Sequence, residues 1–121
     1  MATPAEPGRN LYVKVYEGNI PAKDLLDSDP YVQVTVGDET VETPVDDDTT
    51  KPRWNWSHTF QNVTPDARMK FHVYGDDATD VDDDLGSIQM TVRQFLYNNE
   101  DKRQTIHAGD SRIDVKARWE A

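Results

Sequence analysis

Over residues 11–17, LYVKVYE, the apolar side chains of Leu11, Val13 and Val15 alternate with polar neighbours. A period of two sends one row of side chains to a core and the other to solvent, so this run predicts a half-buried strand. Residues 31–37, YVQVTVG, repeat the pattern with Tyr31, Val34 and Val36 among β-branched neighbours. Further runs of the same kind follow at short intervals: ETVETPV, WNWSHTFQNV, MKFHVYG, LGSIQMTV, RQTIHA and RIDVKARWE. About eight strands separated by Pro, Gly, Asp and Asn breakers predict an all-β sandwich or barrel. Helical spacing is confined to VRQFLYNN, about two turns long. Trp54, Trp56, Phe60 and Phe71 fall on predicted strands, where burial is the default use of a large ring.

A chain of 121 residues predicts one domain. Residues 1–9, with two prolines and a glycine, are expected to form a flexible N-terminal arm, leaving 10–121 as the single domain. Cysteine is absent, which removes disulfides and thiolate metal sites and suits a reducing, cytoplasmic setting. The first ten residues lack the basic and apolar regions of a secretory signal, and no apolar run is long enough to span a bilayer. Any membrane contact is therefore expected to be peripheral.

The net charge of −10 argues against nucleic acid, because phosphate backbones require a basic face. The acid is concentrated: three aspartates lie in 24–29, three in 46–48 and six in 76–84, so these stretches hold twelve of the 23 acidic residues. A merely solvated acidic surface would scatter them. Two carboxylates at about 4 Å repel by roughly 4 kcal/mol at an effective dielectric near 20, a cost that a hard cation such as calcium removes. Turn-forming or capping use explains Asp27 or Asp80 taken singly, not the set.

Spacing excludes an EF-hand. Counted from Asp77, Thr79 and Val81 take the third and fifth ligand positions, Asp82 the glycine position and Ile88 the place of the bidentate glutamate. Catalysis has little support as well. His58, His72 and His107 lie on separate runs, a cysteine nucleophile and a Gly-rich phosphate loop are both absent, and the aspartates sit at loop tips instead of an aromatic cleft. The chain is not expected to be an enzyme.

Three segments in order, SDPYVQVTV, KPRWNWSHTF and DDDLGSIQM, resemble the signature segments of C2 domains, and the resemblance runs from residue 11 to about residue 120. It implies an eight-stranded antiparallel Greek-key sandwich with calcium-binding loops clustered at one end. LYVKVYEGNIPAKD resembles the strand before the first calcium loop, and SRIDVKARWEA the strand that opens the other circular permutation. The phospholipase-like, type II topology is therefore favoured, with both termini near the end opposite the loops.

Carried over residue by residue, the resemblance implies Asp24 and Asp29 as ligands in loop 1, and Asp77 and Asp83 in loop 3. The first of the paired loop 3 aspartates becomes Gly75, a register supported by the alternation of Met69, Phe71 and Val73. Asp76 is the candidate to replace it, with Asp80 or Asp82 as further oxygen donors from across the loop. The positions where many relatives carry a phosphoinositide-binding lysine cluster hold Gln33, Thr35, Glu42 and Pro44, so that site is not expected. Asp46, Asp47 and Asp48 in loop 2 either join the calcium site or repel anionic lipid.

The implied function is a calcium-binding module, with Ca2+ as cofactor, that docks reversibly on anionic, phosphatidylserine-like membranes when calcium rises. Leu25 and Leu26 in loop 1 and Val81 in loop 3 are the candidate membrane-contacting residues, the alternative for the leucines being that one folds back onto the sandwich edge. The alternative function is a calcium-independent C2 module that binds another protein.

Overall fold

Eight strands and one short helix form where the alternation places them. The computed structural model describes residues 8–21, 29–77 and 81–120. In chain order the elements are β1 (Arg9–Asn19), β2 (Pro30–Val36), β3 (Glu39–Glu42), β4 (Arg53–Val63), β5 (Arg68–Gly75), β6 (Asp83–Thr91), α1 (Val92–Leu96), β7 (Gln104–Ala108) and β8 (Ser111–Trp119). They make two four-stranded antiparallel sheets, β4-β1-β8-β7 and β3-β2-β5-β6, an all-β sandwich.

The inward rows supply the core. Leu11, Val13 and Val15 of β1 meet Phe60 of β4 and Ile113, Val115 and Ala117 of β8, and from the other sheet Val32, Val34, Val36, Met69, Phe71 and Val73 close over them. Each of these except Val36 is fully shielded from water. Full burial of an aliphatic or aromatic side chain of this size contributes about 1.5–3 kcal/mol, which is why the period of two is obeyed so strictly. Trp54 and Phe60 are buried as expected, while Trp56 is half-buried against the rim of the core.

Tyr31 departs from the expected grouping. Val34 and Val36 point inward with Val32, so Tyr31, at the opposite parity, stands on the outer face of its sheet and is half-buried. The reason is the pleat itself: residues an odd number apart lie on opposite faces.

The strand directions decide where the loops gather. β1 ends, β2 begins, β3 ends, β4 begins, β5 ends and β6 begins at one end of the sandwich, so segments 20–29, 43–52 and 76–82 all emerge there. The β7–β8 turn at 109–110 joins them, since Asn19 pairs with Arg112 while Leu11 pairs with Trp119 at the far end. The short helix lies at that far end, with its first turn closed by Thr91 and Gln94 in a reciprocal capping box.

Candidate functional site: the acidic loop end

Strand register brings the aspartates at the ends of β2, β5 and β6 to one rim. Pro30 of β2 lies opposite Gly75 of β5, and Gly75 lies opposite Asp83 of β6, so three adjacent strand ends carry Asp29, Asp76 and Asp83 side by side. The amide of Asp76 donates to the carbonyl of Asp29 at 2.8 Å, which locks the third loop to the end of the first. The indole Nε1 of Trp54 donates to the carbonyl of Pro30 at 3.1 Å and ties the rim to the opposite sheet.

Loop 2 is bound to this rim. The amide of Asp48, a residue held at φ 56, donates to Asp29 Oδ1 at 2.8 Å. The amide of Asp46 donates to the carbonyl of Pro30 at 3.0 Å, and Asp46 Oδ2 accepts the amide of Arg53 at 2.8 Å. The left-handed region is tolerated by aspartate better than by most side chains, and here it turns the Asp48 amide toward its acceptor. One oxygen of Asp29 is thus already used.

In loop 3, both oxygens of Asp82 are engaged. Oδ2 accepts the hydroxyl of Tyr31 at 2.5 Å and Oδ1 accepts the amide of Asp77 at 3.0 Å. The Tyr31 hydroxyl, then the Asp77 amide, hold the Asp82 carboxyl below its ordinary pKa of 3.8, because each bond favours the charged form. Burial, reinforced by Asp82, pushes the Tyr31 phenol up. Asp82, a candidate oxygen donor across the loop alongside Asp80, braces the loop through both of its oxygens.

The brace continues across the sheet. Tyr31 stacks on Tyr74 with centroids 5.5 Å apart, Tyr74 stacks on His72 at 4.0 Å, and His72 Nε2 lies 2.9 Å from Asp84 Oδ1. The amide of Gly86 and then His72 hold the Asp84 carboxyl below its usual range. This row was missed at the sequence level because its members alternate with core positions on three different strands. The parity of Tyr31 against Val32 was the available signal.

We expect Tyr31→Phe to return the Asp82 carboxyl toward its ordinary pKa. A depressed folded-state value contributes stability above the unfolded pKa and loses it as pH falls through the folded one. Wild-type stability should therefore fall as pH drops below about 4, and Tyr31→Phe should flatten that fall. Urea denaturation from pH 2 to 6, with carbon NMR of the Asp82 carboxyl, measures both; identical curves would remove the brace.

Of the predicted metal ligands, Asp29, Asp76, Asp77 and Asp83 stand at the rim, and Asp24 lies outside the described residues. Among the described residues no three His, Asp or Glu side chains converge as a metal-binding group. Gly75 is the gap between them: a Cβ built there would sit 3.7 Å from Asp83 Cβ and 4.0 Å from Asp83 Oδ2, with Leu85 Cδ1 at 3.4 Å. The donors at the rim are all hard oxygens, the class calcium takes. Val81 is 82% exposed at the tip of loop 3, whereas Leu25 and Leu26 lie outside the described residues.

The family model of the C2 domain matches residues 9–108. The chain belongs to the C2 domain family. GTPase activating protein 1 of Oryza sativa subsp. indica is 37% identical over 85 residues, 69% of this chain and 51% of that protein. Protein C2-DOMAIN ABA-RELATED 1 of Arabidopsis thaliana is 30% identical over 87 residues, 71% of this chain and 52% of that protein. The chain thus spans about half the length of these curated relatives.

Among solved structures, the calcium-bound C2A- and C2B-domains of extended synaptotagmin 2 superpose with a TM-score of 0.78 at 21% identity, over 96% of this chain and 47% of that one. Human GIVD cytosolic phospholipase A2 gives 0.81 at 24% identity, over 98% of this chain and 17% of the phospholipase. At these identities the likeness is one of fold, and it carries no phospholipase activity to this chain. Among the described residues no helix is long and apolar enough to cross a membrane.

Proposed function

We propose that this domain is a calcium switch for peripheral docking on anionic phospholipid membranes, with Asp24, Asp29, Asp76, Asp77 and Asp83 as metal ligands. The observation that carries the reading is the convergence of three acidic loops at one end of the sandwich, held there by strand register. Without a cation, the loop end faces a cytoplasmic leaflet at about −30 mV, a field that opposes acidic groups. Bound calcium would reverse the local sign and offer open coordination positions to lipid phosphate. The work of the chain is to hold its carboxylates together at the rim through Asp48, Asp82 and Trp54, so little refolding is needed. Leu25, Leu26 and Val81 then enter the interface, where partial burial of two or three side chains, each worth at most about 1.5–3 kcal/mol, gives reversible docking.

A second reading, a calcium-independent protein-binding module, draws on Gly75 and on the absence of a three-carboxylate group among the described residues. Co-sedimentation separates the two. Vesicles containing phosphatidylserine should pull the domain down with calcium and release it to a chelator, and Leu26→Ala and Val81→Ala should weaken docking while leaving calcium-induced stabilisation intact. Raised salt should reduce binding only in part, since screening spares the apolar contribution. Equal vesicle binding with and without calcium refutes the switch, and no binding in either state favours the protein-binding reading.

A further inference from the structure

The outer face of the sheet β4-β1-β8-β7 is charged against the rest of the molecule. Its outward rows carry Lys14, Arg53, Arg112, Lys116 and Arg118, with Arg103 beside them, against Glu17 and Asp114, in a chain of net charge −10. Arg103 occupies both carboxylates: its Nη2 lies 2.6 Å from Glu17 Oε1 and 2.7 Å from Asp114 Oδ2. The other oxygen of Asp114 accepts the Thr105 hydroxyl at 2.7 Å, and Arg53 reaches Glu17 at 3.9 Å.

Farther along the face Lys116 and Arg118 both pair with Asp101, and the Lys14 ammonium lies over the Tyr16 ring. At the loop end two further cations stand together. Arg112 and Lys51 make no ion pair among the described residues, and both line an open cleft of ≈ 350 Å³ together with Gly18, Asn19 and Thr105, floored by the neutralised Glu17 and Asp114. The fold places them there. Arg112 stands opposite Asn19 on β1 and opposite His107 on β7. The amides of Gly18 and Ile20 donate to the carbonyls of Pro52 and Thr50 at 3.0 and 2.8 Å, which fastens Lys51 beside the end of β1. The cleft therefore opens beside the same loops that form the acidic rim, but on the flank away from β3-β2-β5-β6. A guanidinium and an ammonium over satisfied carboxylates, with the Asn19 side-chain amide beside them, suit a phosphate ester, and the volume admits a headgroup as well as the ion.

We propose that this cleft binds a phosphate ester of headgroup size, held by Arg112 and Lys51. The contact itself is independent of the acidic rim; that the ester belongs to a lipid rests on the membrane-docking reading above.

Two measurements on the full chain test it. In the first, inositol 1,4,5-trisphosphate is titrated without calcium while amide NMR shifts are followed. Gly18, Asn19, Lys51 and Arg112 should move together, and Arg112→Gln or Lys51→Gln should each weaken binding about tenfold, the usual worth of one charge-assisted hydrogen bond. Both side chains are exposed, so an unchanged Tm certifies the fold of each variant. In the second, vesicles containing phosphatidylinositol 4,5-bisphosphate are compared with phosphatidylserine vesicles of equal charge. Preference for the former, lost in Arg112→Gln, assigns the ester to a lipid; trisphosphate binding without that preference assigns it to a free ester. Absence of localised shifts, or shifts unchanged in both variants, overturns the cleft. A missing calcium response with intact trisphosphate shifts would instead defeat the membrane switch and leave the cleft standing.

Discussion

Replacing Gly75 by aspartate should tighten calcium binding by roughly tenfold, because calcium affinity is set by the number of charged ligands in a site. Gly75 is paired with Asp83 across the β5–β6 register, and the position of its missing Cβ faces the Asp83 carboxylate at ordinary contact distance, with the Leu85 side chain as the nearest wall. An aspartate there has room at its Cβ and aims at the gap in the predicted ligand set. Without calcium the same change should destabilise the domain, since it adds a carboxylate beside Asp83. With calcium in excess, a tenfold gain in affinity adds about 1.4 kcal/mol to stability, a rise in Tm of roughly 5 °C over the wild-type response. Asp83→Asn and Asp29→Asn should shrink that response, and magnesium at equal concentration should give little, because its tight octahedral shell resists stripping. Thermal unfolding with calcium, magnesium and chelator reads every arm. A Gly75→Asp domain that melts at the same temperature with and without calcium would falsify the ligand register.

The second large effect concerns the fold. Gly86→Ala should cost about 3–5 kcal/mol, from backbone strain and overpacking together. Gly86 sits at φ 120, and a Cβ there would fall 1.9 Å from the carbonyl oxygen of Ala108 and 3.1 Å from the Cα of Gly109. Those are backbone atoms of the β7 end and its turn, so no side-chain rotation relieves the clash. The contact is where the edge of one sheet approaches the edge of the other, and the Ser111 hydroxyl donates to the Leu85 carbonyl at 2.7 Å beside it. Gly37→Ala is the control. Gly37 also has a positive φ, 60, but nothing lies within 4 Å of its Cβ position, so about 1 kcal/mol of backbone preference is all that should be lost. Urea midpoints of the two variants should differ by several-fold in their displacement from wild type; equal displacements would mean that the sheet edges do not meet at Gly86.

The alternation of Leu11, Val13 and Val15, and of Met69, Phe71 and Val73, was enough to determine the strands and the inward faces. Side-chain parity is a local property of an extended chain, and burial penalises any other register. The order of the SDPYVQVTV, KPRWNWSHTF and DDDLGSIQM segments likewise determined the family, and the spacing there puts Gly75 where the resemblance implies a carboxylate. Tertiary structure alone decided how the polar groups are spent. Asp29 gives an oxygen to the amide of Asp48, 19 residues on, and Asp82 gives both of its oxygens to Tyr31 and Asp77, so neither carboxylate is the unengaged ligand that its position suggests. Arg103 reaches Glu17 across 86 residues, so that Arg112 and Lys51, without an ion pair among the described residues, line a cleft whose carboxylates are already engaged, on a chain whose composition argues only for acid. Hydrogen bonds and ion pairs depend on distances between strands remote in sequence, and a one-dimensional pattern holds no measure of those distances.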